Sequence, residues 1–522
     1  MPGFRSNTHN NIIVPISFVI CMSRIEHLAM IAHDMGLIFE FLGIVSVLPF
    51  FVLVIFGEWD LFLPMATVPV TFIVMGYLIS HIPYKDTVPS FQATMSAVAL
   101  SWIAIALVGA MPFVFGMGMT FTDAIFEAMA GWTGTAFSMI PSLDQTPNTL
   151  LFWRSFMQWI GGIGIIVFGI SLHRKTRVSL FRIYRAEGRE EELVSSSVSS
   201  SRRMWMIYLV LTFGFTGLVM LTGISLWDSL NLVMTTIATG GFTLHDGGIS
   251  YYNSPLLEMV LIPVMLAGSI PFKVFFFLYH GKIRNIFRDQ IVRILLLIAF
   301  IGSCIVSLDL FIFGNLSLGS AIRQGTFTAV SGICTCGLQN SDLHHWATIP
   351  LAIVAMMVLI GGAMGSTSGG IKINRVFLVF EGVKWWFRRF FVSSRVLVPL
   401  RLGGRTLSKE SSDLAVSKNL LVIVIYVLTI FMATIITLHL YITSFQLDEV
   451  VFELVSALSN CGLSVGFISA ASPLSLKWIF ITLMWLGRLE IAPVLIIAMG
   501  IAKEIRDDIS SDDGSGGQPH LR

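Results

Sequence analysis

The sequence predicts an all-α polytopic membrane protein with ten transmembrane spans, and three observations carry that prediction. Of its 522 residues, 55% are apolar and only 12% charged, for a mean hydropathy of +0.81. Soluble domains carry roughly 25% charged residues. The apolar residues fall in long runs, each near or above the roughly 20 residues a helix needs to cross a bilayer. Between the runs lies an internal repeat. This composition excludes a soluble enzyme and a disordered or collagen-like chain.

The N-terminus is polar, then holds a brief apolar run from Asn11 to Met22 interrupted by Pro15. Residues 1–34 therefore read as an interfacial or poorly ordered tail, not a cleavable signal. Spans follow near 36–56, 60–82, 89–115, 149–172, 203–226, 254–280, 287–314, 347–387, 416–444 and 474–503. The eighth is too long for one crossing and is interrupted by glycines and serines. Ten spans put both termini on one side, and charge selects it. The segments 173–203, 281–293 and 384–418 contain Arg174, Lys175, Arg177, Arg182, Arg185, Arg189, Arg202, Arg203, Lys282, Arg284, Arg288 and Arg293, among others. The opposite connections contain only Arg323. The positive-inside bias places the termini and basic loops in the cytoplasm of a plasma (inner) membrane.

A net charge of +2 gives no reason to expect nucleic acid. Five cysteines (Cys21, Cys304, Cys334, Cys336, Cys461), mostly in apolar stretches, imply no disulfide framework. The outer connections carry Glu58, Asp60, Asp123, Glu127, Asp144, Asp228, Asp246, Asp342, Asp448, Glu449 and Glu453. Two readings stay open: solvated and helix-capping acids, or a negative funnel that concentrates cations.

The repeat comprises four segments too short to cross: FEAMAGWTGTAF (126–137), NLVMTTIATGGF (231–242), FTAVSGICTCGL (327–338) and FELVSALSNCGL (452–463). Their eleventh residues are Ala136, Gly241, Gly337 and Gly462; their twelfth are Phe137, Phe242, Leu338 and Leu463. Asp123, Asp228 and Asp448 stand just before three of the short helices, where acids favour an N-terminus. One helix–short helix–helix unit encloses nothing, but four in pseudo-fourfold arrangement surround a central pore. Non-helical backbone at membrane depth is tolerated only where it is buried or lines a wet cavity. Four such loops can offer carbonyl oxygens in place of a cation's water shell, with the negative helix ends aimed inward. The alternative is four amphipathic connectors with accidental Gly-Phe or Gly-Leu endings, which matching positions disfavour.

These residues, with FWRSFMQWIGGIGI (152–165), GGAMGSTSGGIK (361–372) and WLGRLEIAPVL (485–495), resemble the TrkH/KtrB/HKT superfamily of potassium transporters, most of all TrkH. The resemblance spans residues 36–505, and the two leading helices favour the TrkH type. It implies a channel-like pore in one chain and usually a homodimer. It also implies ions held by Gly134–Thr135, Thr239–Gly240, Thr335–Cys336 and Asn460–Cys461, with Ala136, Gly241, Gly337 and Gly462 alongside. Ala136 departs from the family's glycine. If that position needs positive φ, a Cβ costs roughly 1–2 kcal/mol, or the loop turns its carbonyl away from the axis. In plant HKT relatives a small non-glycine there goes with sodium preference, so K+ is expected with Na+ as the alternative ion.

The division is then a tail (1–34), two leading helices (35–84), repeats at 85–175, 176–283, 284–390 and 391–505, and a disordered cytoplasmic tail (506–522). Pore loops fall at 123–140, 228–246, 320–342 and 448–467. Gly361, Gly362, Gly365, Gly369 and Gly370 disfavour a continuous eighth helix, each costing about 1 kcal/mol relative to alanine. Ile371 between Gly370 and Lys372 argues against a phosphate-binding loop, leaving a helix kink as the plain alternative. The resemblance favours a mobile gating loop, including Ser366, Thr367 and Ser368, that blocks the pore beneath the filter. Arg154, Lys273, Arg488 and Glu490 lie in apolar spans, where charge is expensive. Arg488 is expected to act as an electrostatic barrier and loop partner, against the alternative of a structural ion pair with Glu490. Lys372 reads as facing the cytoplasm. Cys334, Cys336 and Cys461 read as small filter-flanking groups, and His245, His344 and His345 as surface residues. No catalytic constellation or dinucleotide fingerprint occurs, so no enzyme and no bound cofactor are expected beyond transported K+ in the filter. The family pairs with a cytosolic nucleotide-binding subunit of the TrkA type. The basic loops suit that subunit or anionic lipid equally. A coupled carrier would instead show inverted repeats.

Overall fold

The computed structural model describes residues 16–83, 91–164, 197–279, 284, 286–391, 400–402, 405–407 and 409–490. The expected 506–522 tail lies outside these residues. Almost all described regular structure is helical; a hairpin pairing Leu400–Leu402 with Arg405–Leu407 is the small departure from an all-α chain.

The first helix runs Ile16–Val45, so the segment expected as a tail is helical from Ile16 onward, one residue after Pro15. Proline before or at a helix start costs no hydrogen bond. This helix packs on Phe62–Ser80 through facing glycines. A Cβ on Gly36 would strike the backbone at Ser80, and one on Gly76 the backbone at Glu40. Small residues let helix backbones approach closely in a bilayer. Pro49–Phe56 continues the first crossing after a turn.

Four units follow. In each, a long helix leads to a short one: Phe91–Met117 to Phe121–Thr133, Ser197–Met220 to Leu226–Ile237, Gln290–Ile312 to Leu318–Ile333, and Lys409–Leu440 to Leu447–Leu458. The short helices are capped by Thr120, Ser225, Ser317 and Gln446, the last in a capping box with Glu449. Asp123, Asp228 and Asp448 thus lie inside the first turn, not before it, and favour the positive helix end from there.

The helix after each loop is shorter than the hydropathy runs suggested. These helices are Asn148–Ile163, Pro255–Ser269, Thr348–Ile360 and Leu474–Arg488. The expected continuous crossing at 254–280 is broken, and 347–387 is interrupted at its glycine-rich segment as expected; the other two helices also end early, their remainders lying outside the described residues. Backbone chemistry gives the reason. Gly164, Gly361 and Glu490 take φ of 93°, 69° and 54°, and Pro271 removes a hydrogen-bond donor. Helices resume at Phe272–Tyr279 and Ile373–Phe390. Six helices among the described residues are long and apolar enough to cross a membrane; the expected count of ten included these interrupted ones.

Each short helix packs between the helices of its own unit. It also meets a post-loop helix from another unit: 148–163 on 226–237, 255–269 on 318–333, 348–360 on 447–458, and 474–488 on 121–133.

Candidate functional site

The short helices end in a common backbone path. Their ninth positions, Gly134, Thr239, Thr335 and Asn460, are all left-handed, at φ 73°, 52°, 51° and 51°. Three eleventh positions, Gly241, Gly337 and Gly462, are left-handed too, at 75°, 82° and 90°. Ala136 is not, so the first loop avoids the Cβ penalty by a different path.

The loops converge at this level. A Cβ built on Gly241, Gly337 or Gly462 would lie 3.0, 2.6 and 2.7 Å from the Ala136 methyl. The methyl therefore sits where three other side chains would meet. Each of those glycines also abuts a neighbouring loop's backbone: Gly241 the Cys336 oxygen, Gly337 the Cys461 oxygen, Gly462 the Ala136 nitrogen.

Hydrogen bonds stitch the seams. Buried Gln158 donates to Gly240 O (2.8 Å) and Thr135 O (3.3 Å) and accepts from Phe242 N (3.0 Å), joining loops one and two. Gln339 donates to Ser464 O at 2.9 Å and accepts from Ser464 N at 3.0 Å, joining loops three and four. Ala136 N donates to Cys461 O (3.1 Å), and Asn460 Nδ2 to Thr135 Oγ1 (3.3 Å), joining four to one. The tenth-position oxygens of Thr135, Gly240 and Cys461 are thus engaged between loops. Cys336 Sγ lies 3.9 Å from Thr236 O at the remaining seam.

Behind the loops, acids hold the extended segments. Glu127 accepts from Met139 N (2.7 Å) and Ser138 Oγ and pairs with Arg154 at 2.6 Å, both side chains buried. Glu453, eleven residues before Ser464 as Glu127 is before Ser138, accepts from Ser464 Oγ (2.6 Å) and Phe467 N (3.0 Å). Most outer acids are similarly committed. Asp123 pairs with Lys477 at 2.5 Å, Asp144 with His245 at 2.6 Å and Glu449 with His344 at 2.7 Å. Asp246 accepts from Leu143 N, and Glu58 from Asn148 N and Thr149 N. Glu58 caps a helix start, whereas the others are held in ion pairs and loop hydrogen bonds, and the partly exposed His245 and His344 each bridge adjacent loops. The His245 hydrogen bond holds the Asp144 carboxyl below its ordinary value.

The glycine-rich segment 361–372 is a loop packed against the short-helix ends. Thr367 Oγ1 lies 2.9 Å from both Ile237 O and Gly268 O, and 3.2 Å from Thr239 Oγ1. Ala363 N donates to Ser269 O at 3.1 Å. Gly369 N donates to Thr335 Oγ1 (2.6 Å) and Gly370 N to Ser459 O (3.1 Å). Ser366 and Ser368 hydroxyls meet at 2.8 Å. This is more than a kink: twelve residues leave the helix path, and neither Gly361 nor Gly369 accepts a Cβ, which would strike the Gly369 oxygen in the first case and the Ser459 oxygen in the second. A cavity is lined by Trp102, Gly164, Gly365–Gly370, Lys372, Asn460, Gly487, Arg488 and Glu490. Arg488 donates to Gly161 O and Gly162 O and lies over the Trp102 ring at 5.2 Å. Glu490 pairs with Arg375, just beyond the loop. Lys372 is buried, at φ 80°, with Nζ on Ser368 O. Its side chain does not point out into solvent: the ammonium folds back onto the loop and donates to that carbonyl.

The family model described as TrkH, cation transport protein, matches residues 65–504. The chain belongs to the TrkH family. An uncharacterised cation transporter of Methanocaldococcus jannaschii is 28% identical over 92% of this chain and 97% of its own length. The Trk system potassium uptake protein TrkH of Escherichia coli is 28% identical over 77% of this chain and 83% of its own. The crystal structure of the potassium transporter TrkH from Vibrio parahaemolyticus shares the fold. Its TM-score is 0.77 at 24% identity, over 90% of this chain and 98% of that one. TrkH proteins are membrane transporters of cations, and this TrkH-family chain is not an enzyme.

Gln158, Gln339, Glu127 and Glu453 were not singled out as loop braces from the sequence. For Gln158 a signal existed: a strongly polar side chain inside an apolar helix is costly in a membrane and asks for a partner. For the others only the folded loops reveal what they hold.

Proposed function

We propose that this TrkH-family chain takes up monovalent cations, with K+ favoured, through a channel-like pore formed by its four units in pseudo-fourfold arrangement. The observation that carries the reading is the convergence around Ala136 of four short helices that each end in a left-handed residue at the ninth position. Their negative C-terminal ends point to the same centre and favour a cation there. Gly134, Thr135, Ala136, Thr239, Gly240, Gly241, Thr335, Cys336, Gly337, Asn460, Cys461 and Gly462 form the selectivity filter. The 361–372 loop is the gate, with Arg488 a positive barrier in the cavity beside it. The protein is a homodimer with both termini in the cytoplasm, regulated by a TrkA-like nucleotide-binding subunit; relatives named as Trk system potassium uptake proteins support its place in a larger system.

Ala136 favours a second ionic reading, since its methyl lies where the loops meet and passage requires the loops to part around it. The decisive measurement is the reversal potential of purified protein in planar bilayers under opposed K+ and Na+ gradients, with Ala136→Gly alongside. A K+-selective wild type supports potassium uptake. A wild type that passes both ions, sharpened by Ala136→Gly, identifies a sodium-permeable member. Absence of current in both, with coupled uptake in vesicles, overturns the pore and favours a symporter.

A further inference from the structure

The last carbonyls of a helix have no partner inside it and carry the negative end of its dipole. Two of the four short helices meet the 361–372 loop through such carbonyls: Thr367 Oγ1 lies 2.9 Å from Ile237 O, and Gly370 N donates to Ser459 O at 3.1 Å. The same Thr367 hydroxyl lies 2.9 Å from Gly268 O, where a post-loop helix breaks, and its N–H donates to Gly268 O at 3.1 Å. Thr367 is buried, and a single hydroxyl proton serves this site. The loop thus supplies donors to helix-end oxygens that their own helices leave without a partner.

We propose that the 361–372 loop and the permeant cation compete for these helix-end oxygens, and that Thr367 is the positioning residue that sets the balance. This rests on the pore reading above and adds its regulation. With the loop seated, Ile237 O and Ser459 O face protein donors; with the loop withdrawn, they face the cavity and attract the ion. A ligand that binds one conformation better shifts the population toward it, so cation entering the cavity favours the withdrawn loop. Coupling is reciprocal: weakening the loop's hold lowers the cation concentration that opens the pathway.

The test is K+ flux into proteoliposomes of the full chain as a function of K+ concentration, for wild type, Thr367→Val and Thr367→Ser. Valine keeps the shape and removes the hydroxyl. One lost hydrogen bond of ordinary strength corresponds to roughly a fivefold to tenfold lower half-activating K+ concentration. Serine restores the wild-type value. A merely structural role would lower yield and thermal stability without moving that concentration. If valine disrupts folding, Thr367→Ala provides the same readout. Half-activating concentrations that are equal across the variants overturn the competition. A deletion of residues 365–369 then separates the two levels. If it conducts constitutively, the loop is a steric plug and the pore reading stands. If it is folded and silent, the pore reading falls as well.

Discussion

At Gly337 the constraints of the site meet in one residue. Its φ is 82°, and an added Cβ would collide with the Cys461 oxygen and come within 2.6 Å of the Ala136 methyl. The left-handed backbone alone costs a side chain roughly 1–2 kcal/mol. Gly337→Ala is therefore expected to abolish K+ uptake in a host lacking its own K+ transporters. Adding Ala136→Gly removes the methyl contact but leaves the oxygen, so the double variant stays inactive; recovered uptake would show that the ring is looser than this geometry. Position eleven was legible in the sequence because three of four repeats carry glycine. Position nine was named only through the family resemblance, and its left-handed backbone was not legible, because Gly134, Thr239, Thr335 and Asn460 share a backbone angle and no side-chain type. Its uniformity belongs to the helix end, where a left-handed residue terminates the turn.

Among the elements, the buried Glu127–Arg154 pair joins the first short helix to the helix after its loop. Arg154 also donates to Thr243 O at 3.0 Å and lies 4.0 Å above the Phe242 ring, so the pair reaches into the second loop. Removing one member of a buried pair leaves an uncompensated charge and costs roughly 3–5 kcal/mol. Arg154→Met or Glu127→Gln should each lower the unfolding midpoint in detergent by a corresponding amount. The double variant should lose less than the sum, and strict additivity would deny the coupling. On the outer side, the Asp144–His245 bridge behaves as a depressed carboxylate does. Its contribution is present above the ordinary Asp value of 3.8 and is lost as pH falls through the lower folded value. Thermal stability measured down through that range should show a loss in wild type that Asp144→Asn does not show. Hydropathy displayed the long helices, and the glycines and serines of 361–372 displayed one interruption, but the breaks after Ile163, Ser269 and Arg488 were missed. Apolar residues continue through those three, and a glycine, a proline or a backbone turn leaves little trace in an average.

For the whole molecule, the basic connections predict orientation. In intact cells with Cys304 replaced by Ser, a cysteine at exposed Ser250 should react with a membrane-impermeant maleimide. A cysteine at exposed Arg389 should react only after permeabilisation. The reverse pattern would invert the topology. Length, hydropathy and the charge bias were enough to determine a polytopic membrane protein, the four aligned segments marked where the short helices end, and the family was reached through the resemblance of the motifs to TrkH. Those are properties of the chain read along its length, because insertion into a bilayer selects on local apolarity and charge. Only the tertiary structure decided which oxygens face which donors, that the Ala136 methyl lies among three glycines, that Lys372 folds back within the 361–372 loop, and that Thr367 turns onto the helix ends. These are contacts between segments about 100 residues or more apart, or turns whose direction follows from what packs beside them. A bilayer forbids unpaired backbone at depth, and no linear pattern states which partner satisfies each group.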